Sequence, residues 1–127
     1  MSTATKNPRP RAKKTSSRHL DPLELRPLRQ RFGLSQTLLA RLLDVSLRTI
    51  SGLEAGSVTP AKFRRNITQL NRICEALREA TEPAHVGQWL DEPNEMLGGL
   101  KPVEAIERGQ IDLVWQVIEG LRSGSPL

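Results

Sequence analysis

Residues 33–56 read GLSQTLLARLLDVSLRTISGLEAG, and this stretch decides how the chain folds. Ser35 stands where a helix begins, because its hydroxyl can accept a hydrogen bond from a free backbone N–H of the first turn. Behind it Leu38, Leu39, Leu42 and Leu43 fall on one face of a helix over Gln36 to Leu43. Asp44-Val45 then makes a tight turn, and Ser46 caps a second helix over Leu47 to Ala55. Gly56 stops that helix, since glycine takes the left-handed conformation that ends helices without steric cost.

Two short helices joined this tightly, with small Ala40 where they touch and Val45, Ile50 and Leu53 facing inward, describe a helix-turn-helix. The residues also follow the wording SQ..LA..L.VS..TIS..E.G, so the stretch resembles the Xre/Cro/phage-repressor type, with Asp44 where glycine is usual. That resemblance implies operator DNA as a partner, and because one half-site read by one such helix binds weakly, a homodimer on a palindromic site is expected. It places Leu47, Arg48, Ser51 and Gly52 on the exposed side of the recognition helix, near the end that meets base edges. Arg48 is the foremost base reader, because a guanidinium pairs bidentately with guanine O6 and N7, worth roughly 1–3 kcal/mol of discrimination. Gln36, Thr49, Lys62, Arg64 and Arg65 are candidates for phosphate contact.

Outward from this unit, residues 1–20 are rich in Lys, Arg, Ser, Thr and Pro and lack the apolar surface to offset ordering entropy, so they are expected to form a disordered basic arm. The arm either lies along phosphates or only solubilises the chain. Order is expected from Asp21-Pro22, with Pro27 leaving a broken or short first helix that ends near Phe32-Gly33. Thr59-Pro60 starts another helix, and Phe63, Ile67, Leu70, Ile73, Cys74 and Leu77 recur at spacings of three and four. This predicts an amphipathic helix of about 20 residues, roughly 30 Å long. Its apolar face meets either a partner chain or the C-terminal helices. Cys74 on that stripe is read as a small hydrophobe.

Beyond Pro83 shorter helical segments are expected around Val86–Leu90, Pro93–Leu97 and Pro102–Arg108, then a last helix near Gln110–Leu121. No segment alternates with a period of two, so the class is all-α: a helix-turn-helix unit over 21–80 joined by the long helix to a small helical domain over 81–127. At 127 residues the chain accommodates one packed domain or two small ones sharing a core.

Charge divides the same way. Residues 1–20 carry six basic and no acidic side chains, 21–80 carry ten basic and six acidic, and 81–127 carry three basic and eight acidic. A polyanion is attracted to the first two blocks and repelled by the third, so the two ends suit partners of opposite sign. One cysteine excludes an internal disulfide, and with only His19 and His85 as further soft ligands no zinc site can be assembled. There is no apolar run long enough to span a membrane and no visible signal peptide, so a cytoplasmic protein is expected. No nucleophile with a base, metal cluster or phosphate loop is visible, and the chain is read as a non-enzyme without a cofactor.

The acidic third is more specific still. QWLDEPNEMLGGLKPVEAIERGQIDLVWQVIEGLRSG, residues 88–124, resembles the toxin-binding domain shared by the MbcA, ParS and Xre antitoxins, whose signature runs W...PN..L.G..P...I..G....V...I..L..G. The resemblance implies an antitoxin of a type II toxin-antitoxin system, with a RES-domain NAD-degrading toxin, or a relative that transfers ADP-ribose to a cellular enzyme, as its protein partner. It also implies a C-terminal segment that blocks the toxin's NAD pocket, and autoregulation of the operon through operator DNA. Asp91, Glu92 and Glu95 and the terminal Arg122, Ser123, Gly124, Ser125, Pro126 and Leu127 are the toxin-binding candidates. Trp89, Pro93, Asn94, Gly99, Gly109 and Trp115 are read as scaffold: the tryptophans as core anchors, Asn94 as a turn organiser, the glycines as helix stops. The rival reading is a stand-alone Xre-family repressor whose C-terminal half only dimerises.

Overall fold

The computed structural model describes residues 22–124. The expected disordered arm, the Asp21 cap and the terminal Ser125, Pro126 and Leu127 lie outside them. The described residues hold α1 (Pro22–Arg31), α2 (Gln36–Leu43), α3 (Leu47–Ala55), α4 (Arg64–Leu77), α5 (Val86–Leu90), α6 (Pro102–Glu107) and α7 (Ile111–Arg122), and no strand.

Both serine caps form as the sequence requires. Ser35 Oγ accepts from Leu38 N at 3.0 Å and Ser46 Oγ from Thr49 N at 3.0 Å. Between them Asp44 closes α2 in the left-handed conformation, φ 58° and ψ 50°, the one non-glycine residue with positive φ among the described residues. A short polar side chain tolerates that geometry better than a branched one, which reconciles Asp44 with a turn that glycine usually fills. The turn lets Val45 N reach Ala40 O at 2.9 Å, and Leu39, Ile50 and Leu53 meet in the interior.

One expectation is narrowed and one corrected. Pro27 does not break α1, which runs through it with the proline exposed; the helix is short, ten residues, and ends at Arg31, next to the expected Phe32-Gly33. Leu25, Leu28 and Phe32 are all buried on the opposite face. Each such side chain contributes about 1.5–3 kcal/mol on burial, which together outweigh the roughly 3 kcal/mol that an internal proline costs. The helix after Thr59 is shorter than periodicity suggested: Pro60–Phe63 is a 3₁₀ turn, Thr59 makes no side-chain cap, and α4 proper has 14 residues, about 21 Å.

In the C-terminal third α5 falls on its expected range, and α6 and α7 lie within a residue of theirs. The Pro93–Leu97 segment is instead a short 3₁₀ turn over Glu95–Leu97, built by Asn94. Its Oδ1 accepts from Met96 N at 2.9 Å, its carbonyl from Gly99 N at 3.0 Å, and its own N–H donates to Leu100 O at 2.9 Å. Gly98 and Gly99, at φ 68° and 91°, complete the reversal.

One apolar cluster runs through both parts of the chain. It includes Phe32, Leu39 and Ile50 from the first helices, Ile67, Ile73 and Leu77 from α4, and Val86, Leu90, Val103 and Ile118 from the last third. α2 packs on α6 and α4 on α7, so α4 turns its apolar stripe toward the chain's own C-terminal helix. A second seam is made of backbone: Gly87 N donates to Phe32 O at 2.9 Å, and a Cβ on Gly87 would run into Gly33 O.

Candidate nucleic-acid and partner interfaces

α3 presents its first turns outward. Leu47 is 48% exposed, unusual for leucine, and Arg48 and Ser51 are exposed beside it. Thr49 is half-buried, with its hydroxyl 3.0 Å from Ser46 Oγ. Gly52 is not on this surface, contrary to expectation. It faces the Ser57-Val58 turn, where its carbonyl accepts from Ser57 N at 2.9 Å and Val58 N at 3.1 Å. A Cβ at Gly52 would collide with the Val58 side chain, so glycine is required for close packing there.

Behind α3 lies a polar group that the sequence did not single out as a site. Glu54 is 4% exposed and receives Arg29 Nε at 2.6 Å, Arg29 Nη2 at 3.2 Å, Gln36 Nε2 at 3.1 Å and Arg26 Nε at 3.4 Å. Burial alone pushes its carboxyl pKa up, but these hydrogen bonds and the Arg29 charge together hold it below the ordinary carboxylate value. Gln36, expected on phosphate, therefore has its amide engaged inside the network. The arrangement ties α1 and the start of α2 to the recognition helix, and so fixes the angle at which α3 is presented.

The cations divide into two groups. Arg26 and Arg29 serve Glu54, Arg31 and Arg78 serve Glu75, and Arg41 serves Glu107. Arg48, Lys62, Arg64, Arg65 and Arg72 make no ion pair among the described residues. Lys62 Nζ sits 5.8 Å from the Phe63 ring centre. A buried carboxylate thus organises the helices, while these outward cations have no acidic partner among the described residues.

The C-terminal surface is built around the Asn94 turn. Trp89, Pro93, Met96 and Leu121 line one hollow together with Glu92 and Glu95. Met96 is 47% and Leu121 39% exposed. Asp91 is held by Lys101 at 3.3 Å and lies 3.9 Å from Arg41, and Glu92 accepts from Gln88 Nε2 at 2.8 Å. Glu95 makes no side-chain hydrogen bond or ion pair among the described residues. Arg122 bridges Glu79 at 3.2 Å and Glu119 at 3.1 Å, Ser123 Oγ donates to Gly120 O, and Gly124 takes φ 76°. Trp89 and Trp115 are half-buried against the core, and Gly109, at φ 79°, follows α6. Cys74 is buried, its thiol pKa pushed up by burial to about 12, which keeps it a protonated, inert side chain. No cluster among the described residues is arranged to hold a metal ion, and none of their helices is long and apolar enough to cross a membrane.

Comparison with known proteins follows this division. A helix-turn-helix domain family matches residues 23–85. The probable mycobacterial cidal antitoxin Rv3188 of Mycobacterium tuberculosis is 28% identical over 111 residues, which cover 87% of this chain and 96% of that protein. The match therefore extends through the acidic third as well as the helix-turn-helix. Over both of its parts the chain is similar to the Xre/MbcA-type antitoxins.

The mycobacterial cidal antitoxin MbcA of Mycobacterium bovis is 25% identical over 96 residues, 75% of this chain and 85% of its own length. A chain in the crystal structure of the M. tuberculosis MbcT-MbcA toxin-antitoxin complex superposes with a TM-score of 0.68 at 22% identity, covering 84% of this chain and 96% of that one. This likeness establishes the shared all-helical fold. Sequence reasoning missed Glu54, Met96 and Leu121 as surface and scaffold determinants. Glu54 stood in the quoted repressor wording, and Met96 is an apolar side chain among polar turn residues, a visible but weak signal.

Proposed function

We propose that this chain is the antitoxin of a type II toxin-antitoxin pair, which binds and neutralises a toxin encoded beside it and binds operator DNA to regulate their shared operon. The observation that carries this reading is the reach of the antitoxin match across both halves of the chain, 87% of its length, where a repressor with an unrelated dimerisation domain would match in the first half only. DNA recognition rests on Leu47, Arg48 and Ser51 for base edges, with Thr49, Lys62, Arg64 and Arg65 on phosphates and a homodimer reading two half-sites.

Toxin binding uses the hollow around Met96 and Leu121, which Glu92 and Glu95 also line, with Arg122–Leu127 as the terminal segment. A toxin of the RES type that degrades NAD must hold a pyrophosphate, so its pocket is basic, and an acidic, partly apolar surface complements it. Entry of the terminal segment into that pocket blocks substrate. Apolar Met96 and Leu121 supply the contact area, while the acids steer the encounter. Co-expression with the adjacent gene tests this: a stable complex that survives affinity purification and gel filtration supports it, and elution of the two chains as separate species overturns it.

A further inference from the structure

We propose that the outer face of α4 is a phosphate-binding track that extends the DNA contact beyond the recognition helix and grips the backbone irrespective of sequence. This rests on the DNA-binding reading and adds Thr68, Gln69 and Arg72 to the cations at the helix start. α4 buries Ile67, Leu70, Ile73, Cys74 and Leu77, which leaves Arg65, Thr68, Gln69 and Arg72 exposed on the other side. Arg64, Arg65, Thr68, Gln69 and Arg72 line one shallow surface. Arg65 and Arg72 are seven residues apart, two helical turns, so they stand in line about 10 Å from each other. Thr68 and Gln69 lie between them and carry neutral donors of the kind that reach phosphate oxygens.

The charge balance selects the occupant. None of Lys62, Arg64, Arg65 and Arg72 makes an ion pair among the described residues. The acids further along the same helix and after it do not cancel them: Glu75 is held by Arg31 at 3.0 Å and Arg78 at 2.7 Å, and Glu79 by Arg122 at 3.2 Å. Among the described residues no acidic side chain lines the surface itself, and the acids of the neighbouring hollow that Arg72 also borders, Glu75, Glu79 and Glu119, are each paired with an arginine other than Arg72. Arg64, Arg65 and Arg72 on α4, with Lys62 in the turn before it, have no ion-pair partner among the described residues and repel one another, which a polyanion relieves; in a chain with a helix-turn-helix that polyanion is duplex DNA.

The test compares the full chain with the double variant Arg65→Gln/Arg72→Gln on two 30-base-pair duplexes, one taken from the chain's own promoter and one scrambled, across a salt series. Both side chains are exposed, and circular dichroism checks that the variant retains its helices. The expected result is a salt slope reduced by about 1.8, at roughly 0.9 for each phosphate that is no longer neutralised, on both duplexes with the preference between them unchanged. Arg65→Lys/Arg72→Lys restores the slope. An unchanged slope in a wild-type chain that binds DNA overturns the track and leaves the DNA reading standing, whereas a wild-type chain that binds neither duplex overturns both. Loss of self-association, or of binding to vesicles of anionic phospholipid, with the slope intact assigns the face to another copy or to a membrane surface and also overturns the proposal.

Discussion

Arg41 of α2 grips Glu107 at the end of α6 through two parallel hydrogen bonds, Nε to Oε2 at 2.9 Å and Nη2 to Oε1 at 2.8 Å. The fork joins the helix-turn-helix to the acidic third, and Asp91 with Lys101 extends it on one side. The hydrogen bond to Arg41 holds the Glu107 carboxyl below its ordinary value, and the same contact raises the Arg41 guanidinium. Both side chains are about one-third exposed, so solvent screens the pair and its worth is that of a surface bridge, about 0.2–1 kcal/mol. Glu107→Gln is expected to lower thermal stability by a few degrees or less in calorimetry and to leave the base preference of DNA binding untouched.

Glu54 is the more consequential acid, because removing it strands Arg29, whose side chain is only 17% exposed. Glu54→Ala is expected to cost about 3 kcal/mol in urea unfolding, at the low end for a broken buried pair. The same site dictates the acid response. A carboxyl whose folded pKa is depressed contributes stability that is fully present above its unfolded value, here 4.5, and is lost as pH falls through the folded value. Wild-type stability should therefore drop below about pH 4.5 while the Glu54→Gln variant shows a flatter decline, the difference being read from urea midpoints between pH 6 and 3.

Gly87 should tolerate no side chain. Its Cβ position runs into the Gly33 carbonyl oxygen, which is backbone and has little room to yield. Gly87→Ala is expected to destabilise by about 1–3 kcal/mol, the usual penalty of overpacking, and to weaken protection of the Gly87 amide against hydrogen exchange. A Gly56→Ala change meets no atom within 4 Å and is penalised only by its φ of 85°, so it separates crowding from backbone strain.

Arg48 is exposed and makes no ion pair among the described residues, so its removal disturbs no packing there. Arg48→Ala should lower operator affinity by about 1–3 kcal/mol and relax preference at one base pair of each half-site, as read by binding to a set of single-base operator variants.

What could be read from the sequence was local. Ser35, Ser46, Gly56 and Asn94 each act on backbone groups within a few residues, and their caps, stop and turn formed where expected. What failed depended on distant groups. The first helix ended where expected, but whether Pro27 would break it could not be decided, because helix propensity cannot register the burial of Leu25, Leu28 and Phe32. Gly52 was placed outward because the helical wheel gives no sign of Val58 folding back on it. Glu54 gathers partners 18 to 28 positions away, and Arg41 meets Glu107 across 66. Motif wording carried the division into two surfaces, but the packing that fixes their relation joins residues too far apart in the chain for spacing to reveal.

The central claim is neutralisation, and cells report it directly. Inducing the adjacent gene alone should stop growth and collapse cellular NAD, and inducing it together with this chain should restore both. A Met96→Asp/Leu121→Asp variant that still binds its promoter duplex should fail to restore them. Growth arrest and NAD loss that persist unchanged in the presence of the wild-type chain would contradict the account.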